Sequence, residues 1–155
     1  MRRSDKEIKD KDTIQWILKE AQVCRIALCD DNKPYIVPMN FGFKDNYLYL
    51  HSASEGKKID ILNKNNNICF EVDIGTELVR SETACNWGMK YYSVIGSGKS
   101  YFVEDNEEKK EILEIIMQKY CENGAQSFEY SETTLNKTTV IKVEIAEITG
   151  KKSGY

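Results

Sequence analysis

Apolar positions change their period repeatedly along the chain, and each change marks an element. Ile14, Ile17, Leu18 and Ala21 recur at helical spacing, so a first helix is predicted, with Asp12 or Thr13 as its cap. Residues 24–29 (CRIALC) read as a strand, and Asp30-Asp31-Asn32-Lys33-Pro34 as a turn. Residues 35–43 form a second strand, in which Pro38 lacks the ladder donor and argues for an edge or a bulge. Lys44-Asp45-Asn46 then turns the chain into a strand over 47–51. Short turns between these three runs predict an antiparallel meander.

The second half continues in the same manner. A short helix over 57–62 ends in the Asn/Lys cluster 63–67, and a fourth strand covers 68–73. Residues 75–88 are polar and poorly patterned, and a loop of that length is often functional. Residues 91–103 form a long strand that Gly96 and Gly98 would let bend. Asp105 with Glu108 opens a helix whose buried stripe is Ile112, Leu113, Ile115, Ile116 and Tyr120. Residues 121–136 read as irregular, with Phe128 and Tyr130 as aromatics. The last strand covers 138–148, and its apolar phase slips after Ile145 to Ala146 and Ile148, which predicts a bulge.

Six strands with interspersed helices define a mostly β protein. The expected architecture is a small antiparallel six-stranded barrel in which closure hides the sheet edges. Connections too short for crossovers exclude a doubly wound parallel fold. There is no internal repeat or linker, so residues 1–155 read as one domain.

Composition narrows the function classes. A chain of 155 residues buries about 68–70% of its unfolded surface and so has a real core. A net charge of -3 gives no broad nucleic-acid surface. No apolar run approaches the roughly 20 residues of a membrane span, and no signal core follows the charged N-terminus, so a soluble cytoplasmic protein is expected. The five cysteines, Cys24, Cys29, Cys69, Cys85 and Cys121, are odd in number and lack CxxC spacing, which favours buried reduced thiols. One histidine makes a zinc site improbable, and no metal is expected. Nucleotide-loop, serine-hydrolase and zinc-protease motifs do not occur.

The richest chemistry lies over 47–62. A strand ends at His51, a turn of small and polar residues follows (Ser52-Ala53-Ser54-Glu55-Gly56), and Lys57 and Lys58 open a helix. Small residues admit close backbone approach, and the helix start with two cations suits a phosphate. His51 alone could be a packing histidine, but this position favours contact with whatever carries the phosphate. A second aromatic patch, Asn86-Trp87 through Tyr92-Ser93, reads either as a core cap at Trp87 or as a stacking residue for a planar ligand.

Four stretches together carry a family resemblance: Tyr35-Ile36-Val37-Pro38-Met39-Asn40-Phe41, Tyr49-Leu50-His51-Ser52 through Lys57-Lys58, Asn86-Trp87 through Ser93-Val94, and Ile148-Thr149-Gly150-Lys151. In order and spacing the chain resembles the pyridoxamine 5'-phosphate oxidase-like flavoproteins of the FMN-binding split-barrel fold, and most of all their nitroimidazole-resistance (Nim-type) branch. The resemblance implies a homodimer holding FMN at its interface. Val37, Pro38, Met39 and Asn40 would run along the flavin ring, and His51 and Ser52 would approach the ring and ribityl chain. Lys57 and Lys58 would hold the phosphate, where the oxidases often have Arg-Lys. Trp87 and Ser93 would reach the cofactor, Ser93 standing where the oxidases often place a glutamine. The oxidases' C-terminal arginines for pyridoxal phosphate have no clear counterpart. The implied activity is FMN-dependent reduction of small aromatic compounds, nitroaromatics in type, with NADH or NADPH as a candidate donor and His51 as a proton donor. The alternative is a flavin- or haem-binding protein without turnover.

Overall fold

The computed structural model describes residues 3–121 and 127–155. After a 3-10 turn (Ser4–Lys6), a two-residue strand β1 (Glu7–Ile8) leads into helix α1 (Lys11–Glu20). The cap of α1 is Asp10, whose carboxylate accepts the Thr13 N–H at 2.9 Å, rather than Asp12 or Thr13 themselves. The next pairs are made by two tight hairpins. Asp31 and Asn32 (φ 47° and 66°) join β2 (Cys24–Asp30) to β3 (Lys33–Met39), and Asp45 and Asn46 (φ 50° and 66°) join β4 (Gly42–Lys44) to β5 (Tyr47–Ala53). Consecutive positive φ values are those of two-residue hairpin turns, and Asp and Asn tolerate them.

Helix α2 (Lys57–Lys64) is followed by β6 (Asn67–Val79), β7 (Gly88–Val103), α3 (Asn106–Lys119), α4 (Glu132–Lys137) and β8 (Thr138–Ser153). All pairings are antiparallel, in the order β3-β2-β6-β7-β8-β5-β4, with β1 added to β8. The two strands at the ends of this order, β3 and β4, are separated in sequence only by Asn40 and Phe41. So short a link between opposite edges forces the sheet to curl round on itself. The result is a split barrel, mostly β with flanking helices.

The barrel interior holds Ile26, Leu48, Leu50, Phe70, Val94 and Ile141, closed by Ile17 and Leu18 of α1 and Ile61 of α2. A second cluster, under α3 and α4, holds Tyr49, Ile112, Leu113, Ile116, Leu135 and Val140. The bulge expected near Ala146 is present. Ser97 lies opposite Glu147 and Gly98 opposite Ile145, which leaves Ala146 as the extra residue. A Cβ on Gly98 would stand 1.9 Å from the Glu144 carbonyl oxygen, so the close approach at this bend requires glycine.

Several expectations are corrected. The strand over 35–43 is two strands, broken at Asn40–Phe41, and the two pieces sit at opposite edges of the sheet. The three-strand meander therefore does not form: β3 pairs with β2, and β5 with β8. Pro38 is on an edge strand, as its missing donor requires. The loop read over 75–88 is shorter, 80–87 with a 3-10 turn at Ala84–Asn86, because β6 runs on to Val79 and β7 begins at Gly88 to make a projecting hairpin arm. Its pattern was hidden because a register shift between Ile74 and Glu77 interrupts it and because the arm projects into solvent. Among the described residues eight strands replace six, counting the short β1 and β4. The segment read as irregular contains α4, whose cap Ser131 accepts the Thr134 N–H, while residues 122–126 lie outside the described residues. Of the five cysteines, all free, only Cys24 is buried.

Candidate functional site

The residues expected at the phosphate end come together. Lys57 and Lys58 open α2, which follows β5 after three residues. Gly56, the N-cap, has φ 124°, a conformation that side-chain-bearing residues rarely adopt, and no side chain caps the helix. The first-turn N–H groups of α2 therefore point outward without an internal acceptor. A Cβ at Gly56 would meet nothing within 4 Å, so the space in front of them is open. Lys57 is exposed and its ammonium lies 4.9 Å from the Tyr35 ring centroid, which ties the start of α2 to β3. Lys58 is half-buried, and desolvation pushes its pKa down. Partial burial of a cation with no carboxylate beside it leaves a charge that an anion would satisfy.

His51 pairs across the ladder with Val140 and is open to solvent. Even so, the atoms crowding the ring, and secondarily the Lys58 ammonium, lower its pKa below the usual 6.5. At neutral pH the imidazole is uncharged. Ser52 turns its hydroxyl to the Ala53 carbonyl at 2.8 Å. The β4–β5 ladder runs from Gly42–Tyr49 to Lys44–Tyr47, and Asn40 and Phe41 link β4 back to β3. The Lys57–Tyr35 contact is what joins this end of the site to β3. Val37 is half-buried, Pro38 and Asn40 are exposed, and Met39 is buried.

Trp87 and Ser93 are elsewhere. Trp87 is 49% exposed beside the β6–β7 hairpin tip, its indole N–H donating to the Ser81 carbonyl at 2.7 Å. The core-cap reading of Trp87 is therefore wrong. Ser93 sits between Asp73 and Lys151. The β7 residue level with His51 through β8 is Val103, about ten residues beyond Ser93, or roughly 33 Å of strand. The expected residues thus fall into two groups that lie apart in the chain. A cavity of about 570 Å³ on the outer sheet face, lined by Ala27, Cys69, Ser97 and Ala146 among others, includes none of them.

Two residues that support the end of the run 37–40 carry no local signal in the sequence. The Tyr120 hydroxyl accepts the Phe41 N–H at 3.0 Å, and the Lys119 ammonium lies 3.7 Å from the Phe41 ring centroid. Both come from the end of α3, far along the chain, and Tyr120 was read only as part of a buried stripe.

The helix start, open and uncapped with a histidine beside it, lies on a split β-barrel. The chain belongs to the pyridoxamine 5'-phosphate oxidase family, whose model matches residues 10–152. It is similar to the crystal structure of a proposed 5-nitroimidazole antibiotic resistance protein from Bacteroides thetaiotaomicron VPI-5482, at 39% identity and TM-score 0.84, covering 94% of this chain and 86% of that one. The flavocytochrome Anf3 of Azotobacter vinelandii shares the fold at 21% identity and TM-score 0.86, over 100% of this chain and 72% of that one. So does an FAD and haem binding protein of Mycobacterium smegmatis, at 16% identity and TM-score 0.87, over 97% and 74%. A curated, uncharacterized protein of Rhizobium meliloti (strain 1021) matches at 29% identity over 65 residues, 42% of this chain and 42% of its own length.

Proposed function

We propose that this protein is an FMN-dependent oxidoreductase that reduces small aromatic, nitroaromatic-type compounds at an interface between two copies of the chain. The observation that carries the cofactor reading is the uncapped start of α2, with the half-buried Lys58 beside it and His51 within its field. Two cations and free N–H groups suit a phosphate monoester, as on the ribityl phosphate of FMN. The similarity to the Bacteroides protein supports the nitroaromatic assignment.

The homodimer follows from the split of the candidate residues. Leu78, Val79, Trp87 and Met89 expose apolar surface on the hairpin, and Ile36, 64% exposed, does so on β3. Each patch adjoins one half-site. In a twofold assembly one hairpin covers the partner's β3 end, and the second contact repeats the first. A composite site then has Lys57, Lys58, His51, Ser52 and the run 37–40 from one protomer, and Trp87 and Ser93 from the other.

When bound, the flavin supplies the electron-transfer chemistry. The protein's part would be to bind and orient: Lys57 and Lys58 at the start of α2 would hold the phosphate, residues 37–40 would contact the ring, and Trp87 would help exclude water. Nitro reduction consumes protons, and His51 in its imidazolium form would be the group to deliver them, which its lowered pKa restricts to the acid side. The test is reconstitution with FMN followed by anaerobic reduction of a nitroimidazole with NADH and with NADPH. Stoichiometric FMN with nitro turnover is expected; a protein that binds no FMN overturns the reading. The uncharged, solvent-open His51 also suits an iron ligand, and a Soret band from haem added to the apoprotein would favour that second reading.

A further inference from the structure

The link between β3 and β4 closes the run 37–40 and is not itself held by the sheet. Asn40 and Phe41 fall between the two strands, outside either ladder. Their backbone is held from elsewhere. The Tyr120 hydroxyl has one proton; it donates to the Gln22 carbonyl at 2.9 Å and accepts the Phe41 N–H at 3.0 Å. One step back on α3, the Lys119 ammonium donates to the Leu18 carbonyl, at the end of α1, and stacks 3.7 Å from the centroid of the wholly buried Phe41 ring. The end of α3 thus grips Phe41 by its backbone and by its ring, and Phe41 directly follows the run 37–40.

We propose that Lys119 and Tyr120 form a positioning clasp that sets residues 37–40 for the cofactor, with the protonated lysine as its closed form. The site it serves is the flavin site argued above, so the inference rests on that reading. Tyr120 fixes the backbone and Lys119 fixes the ring. Neither touches the cofactor; both act through Phe41.

The closed form has a natural upper limit in pH. Burial pushes Lys119 down to about 8. The groups facing it are Glu20 of α1, whose carboxylate favours the ammonium, and the protonated Cys24 thiol of β2, with Tyr120 beside it at the end of its own helix and the uncharged Phe41 ring opposite. Burial raises the Cys24 thiol to about 12 and raises Tyr120 as well, so in rising pH the lysine changes charge before either. The neutral amine loses its attraction to the Phe41 ring and its charge-assisted bond to Leu18. Flavin affinity should therefore be full at neutral pH and fall as pH rises through about 8. By linkage, bound flavin raises the lysine's pKa by the same coupling.

The test is FMN affinity by fluorescence titration across that range. In the wild type the affinity is expected to fall by roughly fivefold or more, the lower end of ordinary site coupling. Lys119→Arg keeps its charge throughout and should bind as the wild type does at neutral pH, with no step beyond what FMN itself brings. Lys119→Met should bind weakly at every pH. A merely structural lysine would change melting temperature and leave the shape of the profile alone. A second arm needs no flavin: amide hydrogen exchange of peptides spanning 37–42, corrected for intrinsic rates, should rise through the same step in the wild type and not in Lys119→Arg. An exchange step without FMN binding overturns the flavin reading and keeps the clasp. FMN binding with the same profile in wild type and Lys119→Arg overturns the clasp alone.

Discussion

Replacing Lys57 and Lys58 together by alanine tests the phosphate assignment most directly, and the two lysines should not count equally. Lys58 is half-buried and already pays a desolvation cost, so its contact with an anion belongs with charged hydrogen bonds, about 1.5–3 kcal/mol. Lys57 is exposed, and solvent screening reduces its share to about 0.2–1 kcal/mol. The sum, roughly 2–4 kcal/mol, corresponds to a loss of FMN affinity of roughly 30- to 1000-fold at 1.4 kcal/mol per decade. Binding should not vanish, because the N–H groups at the start of α2 survive the substitution. Flavin fluorescence quenching, at low salt, reads the dissociation constant. A second readout needs no cofactor. The chain has one histidine, so one imidazole C2–H resonance reports its titration without ambiguity. Lys58→Met removes a like charge, so the pKa of His51 should rise toward 6.5, while the larger part of its depression, from crowding, remains. Lys57→Met should leave that titration where it is. An unchanged FMN dissociation constant in the double variant refutes the phosphate assignment, and an unmoved His51 titration in Lys58→Met refutes the placement of that ammonium.

Two further outcomes are expected. His51→Ala should keep flavin occupancy and lose about 10²–10⁴-fold in nitro turnover, the usual worth of a positioned general acid. Because its pKa is depressed, the imidazolium form is lost as pH rises through a range below 6.5, so the wild-type rate should fall across that range and the variant should lack that limb; full turnover at full occupancy would remove the proton-donor role. Leu78→Lys with Met89→Lys, at two facing and exposed hairpin positions, should reduce the mass by light scattering from about twice 17.9 kDa to 17.9 kDa and abolish FMN binding without lowering the melting temperature of the isolated chain. A variant that remains dimeric would place the interface elsewhere.

Local rules read well wherever a local cause determines the structure. Asp31-Asn32 and Asp45-Asn46 mark their hairpins because those residue types tolerate positive φ, and the slip at Ala146 marks its bulge because side-chain alternation cannot survive an extra residue. The phosphate half-site was legible for the same reason: histidine, small turn and lysines are contiguous in sequence. What failed depended on partners far away. The break at Asn40–Phe41 is marked in a largely apolar run only by the single polar Asn40, and the Tyr120 hydroxyl that compensates it lies 79 residues on. The β6–β7 hairpin was read as a loop because its exposed arms lack an inward face, and Tyr155, whose hydroxyl donates to the Gly75 carbonyl at 2.6 Å at the base of the arm, lies at the far end of the chain.

The hairpin also explains why residues that read as one site in the sequence lie apart in the protomer. A strand pair that continues beyond the barrel can bury nothing of its own, yet Leu78, Val79, Trp87 and Met89 give it an apolar character that solvent alone would not favour. Its burial requires another surface, and the start of α2 beside β3, with Ile36 exposed next to it, is the surface proposed for it. If one copy of the chain completes the other, cofactor binding and association become a single equilibrium. A cofactor that binds only the assembled form stabilises it by RT ln(1 + [L]/Kd), about 2.7 kcal/mol at a hundredfold excess over Kd. Melting would then depend on protein concentration in the apoprotein and much less so once flavin is in excess. In that view Trp87 is exposed because it is half of a site, and the same logic accounts for an uncapped helix start left open by Gly56.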